Sequence, residues 1–291
     1  MTEGTISKLL KGKPRAEQIL METSEQLEKL KEKGIQPCLT TIEVGADPAS
    51  RYYLENQRRT AERVGIKYES RQLPDNITRE KMLEVIDDIN RDPGIHGLII
   101  NLPLPGHLKV CEMQWHINSM KDVEGVTPQN LGKMLLGADG LKPCTALAII
   151  ELIKSTGVDI RGQEVTVIGR SSIVGKPVSL LLLAESATVT ICHSFTSKAG
   201  HLEAHVKKAD ILVAALGVPE FIKGEWIKDN AIVIDAGINS VNGKMVGDVE
   251  FEAAAVRAGY ITPVPGGVGP VTTALLMKNT VDAVYMQLSR I

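Results

Sequence analysis

Apolar residues in the second half of this chain come in short unbroken runs. Val165, Val167 and Ile168 form one, and Thr188–Cys192, Ile211–Ala215 and Ala231–Asp235 form three more. Runs of this length, β-branched and apolar throughout, predict strands covered on both faces, as in a parallel sheet. The third ends at Gly217 and the fourth at Gly237, and the apolar run Val178–Ala184 predicts a helix between the first two strands. The first half shows longer periods. Residues 13–33 read as an amphipathic helix, Ala49–Val64 as a second long helix, and Thr78–Arg91 as a third with Thr78 as its N-cap. Between them Pro37–Val44, Tyr68–Leu73 and Ile95–Leu102 read as strands, so this half is also a β-α-β-α-β series. Pro128–Gly140 reads as loop and short helix, Thr145–Lys154 as a helix leading to Gly157, Gly259–Gly269 as a turn-dense loop, and Val271–Leu288 as a closing helix that returns to the first domain.

The strand at Val165–Ile168 runs into Gly169, Arg170, Ser171 and Ser172, then Gly175 and Pro177. A strand, a glycine turn and a helix start are what a doubly wound fold uses to hold a dinucleotide pyrophosphate. Backbone N–H groups at the helix N-terminus face the anion, and glycine lets them approach. The spacing is not G-x-G-x-x-G, but the following strands supply the context that the motif requires. An NAD site normally has Asp or Glu at the end of the next strand, to bind the ribose hydroxyls. Here Thr188–Cys192 ends in His193 and Ser194, with no acid. Arg170 and Ser194 suit a 2′-phosphate, so NADP is expected over NAD, with NAD still possible. Pro265–Gly269 is a second special loop. Its glycines permit positive φ and its prolines fix the flanks, so a flat ligand can lie against its backbone.

Composition narrows the classes. The chain has 291 residues, 43% of them hydrophobic but only 3% aromatic, so its core is aliphatic. A net charge of −2 with no long basic run argues against nucleic acid or a membrane surface as partner. Met1–Leu10 carries Glu3 and Lys8 and no apolar core of a signal peptide, and no run approaches a membrane span, so a cytoplasmic protein is expected. Cys38, Cys111, Cys144 and Cys192 are scattered and read as small core residues in a reducing compartment. His201 and His205 stand one helical turn apart but lack the H-E-x-x-H order. They read as a solvated face, and no metal is expected.

Taken together, VGADPASRYYLENQRR (44–59), VGI (64–66), NLPLPGH (101–107), KDVEG (121–125), PCT (143–145), VIGRSSIVGKP (167–177), ATVTICHS (187–194), DAGIN (235–239), GDV (247–249) and PVPGGVGP (263–270) make the chain resemble the methylenetetrahydrofolate dehydrogenase/cyclohydrolase family over essentially its whole length. The resemblance implies two α/β domains around a cleft: a folate-binding catalytic domain, residues 1–143 plus 272–291, and a Rossmann-like NAD(P)-binding domain, residues 144–271. It implies a homodimer. It also implies that Tyr53 stacks on the folate ring system, that Thr145, Gly169, Arg170, Ser171, Ser194 and Ile238 contact the cofactor, and that Ile100, Asn101, Leu102, Glu124 and the Pro265, Gly266, Gly267, Val268, Gly269 loop meet the substrate.

The departures from the family pattern fall in one pocket. Gln57 stands where the family has the lysine of Y-x-x-x-K, Asn101 where it has the glutamine of Q-L-P-L-P, and Glu124 where it has the last aspartate of K-D-V-D-G. P-C-T-P-x-G has become PCTALA (143–148). Arg58 and Arg59 do not replace the lysine, because one residue of helix turns a side chain about 100° away. Tyr53, Gln57, Asn101 and Glu124 are therefore the candidate catalytic set, with Lys121 and Asp122 structural beside it. Hydride transfer needs two rings held face to face and no general acid. Opening the methenyl ring with water draws on the lysine, and acid–base help of that kind is worth about 10²–10⁴-fold. The expectation is a dehydrogenase with weak or absent cyclohydrolase activity. The alternatives are a paralogue acting on a different pterin or one-carbon carrier, and a catalytically silent ligand-binding relative. The intact glycine motifs favour an enzyme.

Overall fold

The computed structural model describes residues 8–45 and 48–289, without side chains for residues 48–52. Met1–Ser7, on which the reading of the N-terminus rests, and Ala46–Asp47 of the first family stretch lie outside the described residues. From the start, β1 (Lys8–Leu9) leads to α1 (Gly12–Glu32), β2 (Cys38–Val44), α2 (Pro48–Val64), β3 (Lys67–Leu73), α3 (Arg79–Arg91) and β4 (Gly97–Ile100). Two short helices, α4 (Val110–Trp115) and α5 (Pro128–Leu135), precede α6 (Cys144–Ser155). Then come β5 (Glu164–Ile168), α7 (Gly175–Ala184), β6 (Thr188–Cys192), α8 (Ser194–Lys198), α9 (Leu202–Lys208) and β7 (Ile211–Ala214). The chain closes with β8 (Ile232–Asp235), β9 (Asn239–Val241), β10 (Lys244–Val246), α10 (Phe251–Arg257), β11 (Tyr260–Ile261) and α11 (Val268–Leu288).

These elements form two α/β units. One holds the residues up to Glu17 and Thr145–Thr272, and the other holds Gln18–Cys144 and the chain from Thr273. The first unit contains a six-stranded sheet, order β1-β11-β8-β7-β5-β6, with every neighbouring pair parallel. Strand order reverses at β5, which has β6 on one side and β7 on the other. Such a switch point leaves a crevice beyond the carboxyl ends of the strands. Ile168, Leu212, Val233 and Ile261, one from each of four strands, meet in its core. The other unit contains a three-stranded parallel sheet, β3-β2-β4. Helix α3 buries Met82, Ile86 and Ile89, a single face at helical spacing, against Ile42 and Ile100. Each such side chain contributes about 1.5–3 kcal/mol. Thr78 caps α3, its hydroxyl accepting from the Lys81 N–H at 3.3 Å.

Several boundaries differ from the sequence reading. Residues 8–17 fall in the same unit as the glycine motif, not with the residues that follow, because Lys8 and Leu9 pair with Tyr260 and Ile261. Tyr260–Ile261, expected as loop, is a strand for the same reason: it also pairs with Ile232 and Val233. Helix α11 begins at Val268 rather than Val271, and α7 at Gly175 rather than Val178. The early start of α7 has a local cause, since the Ser171 hydroxyl accepts from the Val174 and Gly175 N–H groups at 3.1 and 3.3 Å. Cys38, Cys144 and Cys192 are buried, but Cys111 is exposed, its position on α4 lying nearly opposite the buried Met113. Among the described residues no helix is long and apolar enough to cross a membrane, and no three His, Cys, Asp or Glu side chains are placed to share a metal ion.

Candidate functional site

In the six-stranded unit the candidate cofactor residues gather at the carboxyl ends of the strands. Gly169 follows β5 with φ +124°, and a side chain there would run into the Ala215 carbonyl just beyond β7. A side chain on Gly175 would strike the Gly169 carbonyl. The two glycines therefore let strand, turn and helix close on one another and leave a backbone cradle at the start of α7. Ile168 registers with Cys192, and the Gly169 N–H donates to the Cys192 carbonyl at 2.9 Å. This brings exposed Arg170 and Ser171 to the same edge as exposed Ser194, the first residue of α8. The buried Nδ1 of His193 beside them has no hydrogen-bond partner. Ile238 is 65% exposed past the end of β8, and half-buried Thr145 lies in the first turn of α6. The Ser171 hydroxyl is already engaged in capping α7, so its part in a cofactor site falls to its backbone.

Two buried aspartates shape the same edge. Asp248 accepts from the N–H groups of Leu216, Gly217 and Val218 at 2.6, 3.0 and 3.0 Å and so holds the turn after β7. Asp235 accepts from Gly237, Asp248 and Val249. Burial pushes the Asp235 carboxyl up to about 6, and the Asp248 charge adds to it. The sequence reading places these acids in the DAGIN and GDV stretches but gives them no role, because the N–H groups they accept from come from turns that meet only in the fold.

The Pro265–Gly269 loop belongs to this unit as well. Pro265 and Gly266 are exposed, whereas Gly267 and Val268 are buried, so only part of the expected substrate wall reaches the surface. Val268 is drawn inward because it starts α11. The Gly12 N–H donates to the Gly266 carbonyl at 2.8 Å, and a side chain on Gly12 would collide with the Gly267 carbonyl.

In the three-stranded unit, α2 presents Tyr53 and Gln57 one turn apart. Tyr53 keeps 42% of its surface exposed and Gln57 only 2%. The Gln57 amide hydrogen-bonds the Tyr53 hydroxyl, while its own Oε1 is buried without a partner. Burial, and then the nearby Glu124 carboxylate, push the Tyr53 hydroxyl up to about 12. Burial and the charge of Asp122 push Glu124 up to about 8, so this carboxyl is mostly protonated at neutral pH. Tyr53, Gln57 and Glu124 thus form a neutral cluster. Arg58 and Arg59 stay outside it, paired with Glu55 and Glu62 at 2.7–2.8 Å on the exposed side of α2.

Glu124 owes its place to the segment around it. The Leu98 N–H donates to the Lys121 carbonyl at 2.7 Å, which docks residues 121–123 beside β4. A side chain on Gly97 would come within 2.6 Å of Val123, so glycine is what permits this approach. The Lys121 ammonium is occupied by the carbonyls of Ile89 and Asp92 at the end of α3. Asp122 accepts from the N–H groups of Val126 and Thr127 and from the Asn130 amide at 2.8–3.1 Å, closing the loop. Asn101 is half-buried just past β4, its N–H donating to the Ile42 carbonyl, and Leu102 is 38% exposed. Ile100, expected to meet the substrate, is the last residue of β4. At 1% exposure its side chain is packed in the core of this unit.

A doubly wound sheet with a glycine cradle, joined in one chain to a second α/β unit bearing a neutral cluster, defines a dinucleotide-dependent enzyme class. Residues 10–124 match the catalytic domain of tetrahydrofolate dehydrogenase/cyclohydrolase, and residues 143–288 match its NAD(P)-binding domain. The chain belongs to the tetrahydrofolate dehydrogenase/cyclohydrolase family. It is 48% identical to the bifunctional protein FolD of Moorella thermoacetica, over 95% of this chain and 98% of that one. It is 46% identical to that of Bacillus subtilis, over 97% and 99%. Among solved structures, the bifunctional FolD of Campylobacter jejuni superposes with a TM-score of 0.93 at 40% identity, covering 97% of this chain and 99% of that one. The Trypanosoma brucei enzyme, complexed with NADP cofactor and inhibitor, gives 0.92 at 37% identity, covering 97% and 98%.

Proposed function

We propose that the protein oxidises 5,10-methylenetetrahydrofolate to 5,10-methenyltetrahydrofolate with NADP as hydride acceptor, and hydrolyses the methenyl product only weakly. Family membership supports the oxidation. The relatives are bifunctional, so weak hydrolysis rests on one side chain: Gln57, buried and neutral at the centre of the cluster. The cofactor supplies the hydride-accepting carbon. Gly169, Gly175 and the backbone of Ser171 cradle its pyrophosphate, Arg170 and Ser194 take its 2′-phosphate, and Thr145 and Ile238 flank it.

The other unit holds the folate. Tyr53 offers its ring face, and its hydroxyl stays protonated across the physiological range. A protonated Glu124 is both donor and acceptor, which matches an amide edge of the pterin better than a carboxylate, which only accepts. Asn101 and Leu102, just past β4, and the exposed Pro265 and Gly266 are further substrate contacts in this reading. Oxidation requires orientation alone from these groups. Hydrolysis draws on a group that moves a proton or supplies a positive charge to developing negative charge, and Gln57 is neutral and does not titrate.

The test is an assay of both steps on the purified protein. Reduced cofactor should form while methenyltetrahydrofolate accumulates, and Gln57→Lys should raise its hydrolysis by about 10²–10⁴-fold. Brisk hydrolysis by the wild type would show that another group replaces the lysine. Failure of both steps would remove the folate reading.

A further inference from the structure

We infer that Asn279, midway along α11, is a positioning residue for Glu124. The inference rests on the proposed reading of Glu124 as part of the folate pocket. Asn279 is 4% exposed in a stretch of helix whose other buried residues, Leu275, Leu276, Met277 and Val281 among them, are largely apolar. A buried amide is unfavourable unless its hydrogens are used. Here its Nδ2 donates to the Val123 carbonyl at 2.8 Å and the Lys142 carbonyl at 3.0 Å, and lies 3.3 Å from the Cys144 sulfur. The Cys144 thiol donates to the same Val123 carbonyl at 3.2 Å.

Two segments of the chain, 121–125 and 142–144, are bridged by this side chain, with the Cys144 thiol as a second link. The Val123 carbonyl belongs to the peptide plane that carries the Glu124 N–H. Because that plane is rigid, anchoring its oxygen fixes the direction in which the Glu124 Cα departs. On the other side, Gly125 has φ +69°, and a side chain there would strike the Lys142 backbone, so the two segments pack too closely for any other residue. Asp122 closes the loop from below. Asn279 therefore sets the backbone from which Glu124 reaches toward Tyr53, with Asp122, Cys144 and Tyr53 as the ionisable groups around it. Alanine removes both donors. Serine keeps one and can satisfy only one of the two carbonyls.

The experiment compares the full-length wild type with Asn279→Ala, Asn279→Ser, Glu124→Gln and the Asn279→Ala/Glu124→Gln double variant. Asn279→Ala should lower kcat/KM for methylenetetrahydrofolate by about 10–100-fold, the scale of a misplaced first contact, with KM for NADP unchanged. Asn279→Ser should fall between, and serves alone if the alanine variant does not fold. In the Glu124→Gln background the same change should add little, because the residue acts through Glu124. Independently of turnover, a carbon-13 NMR titration of the Glu124 carboxyl should move from about 8 toward the ordinary carboxylate range in either variant. If the wild type turns over no folate, the functional reading fails and this titration alone decides the positioning role. Losses that multiply in the double variant, or a Glu124 titration that does not move, would overturn the inference.

Discussion

Replacing Glu124 by Gln should make the protein more stable at alkaline pH. The Glu124 carboxyl sits at about 8 in the fold against an ordinary 4.5. Its folded pKa is raised, so between those values the folded state keeps a proton that the unfolded state releases. Stability therefore falls as pH rises through the window from 4.5 to 8 and is constant above it. At about 1.4 kcal/mol per pKa unit, and allowing for water reaching a half-buried residue, the loss is on the order of 2–4 kcal/mol. Glutamine has the same shape and no proton to release, so it escapes this loss. The assay is urea unfolding of wild type and Glu124→Gln followed by far-UV circular dichroism at pH 5, 7 and 9. Taking the difference between the two proteins cancels the other titrating groups, Asp235 among them. The variant's advantage should be small at pH 5 and full at pH 9. A difference that stays flat over that range would mean that Glu124 ionises normally, and the neutral-cluster argument would fall with it.

Two further outcomes follow from the cofactor edge. Gly169→Ala should abolish cofactor binding, because its φ of +124° and the Ala215 carbonyl leave no place for a side chain; fluorescence titration with reduced NADP reads this, and near-normal binding would refute the cradle. Arg170→Ala should weaken NADP by about 10-fold or more, the scale of a lost charge-assisted contact, and leave NAD nearly unchanged; equal effects on both would refute its assignment to the 2′-phosphate.

Much of the cofactor-binding unit was legible from the chain because its requirements are local. A strand covered on both faces must be apolar along its length, and a turn that meets a neighbouring carbonyl must be glycine. Val165–Ile168, Gly169 and Gly175 therefore announce themselves without any knowledge of their neighbours. Tyr53 and Gln57 were legible as a pair for the same reason, since one helical turn separates them. The rest depended on contacts that sequence spacing does not encode. Two-residue strands such as Lys8–Leu9 and Tyr260–Ile261 have no periodicity and exist only through the strands they pair with. Ile100 and Val268 look like site residues in their motifs, yet packing turns both side chains inward. The amide of Asn279 finds Val123 and Lys142 only when the end of the chain folds back on its middle. Residue type and spacing thus determined which chemistry was available: glycine cradles, an arginine, a neutral glutamine in a lysine's place. Tertiary structure decided which groups are dry, and lost solvent, with the charge of Asp122 added to it, holds the Glu124 proton, because a carboxyl is charged only where water or a partner stabilises the charge.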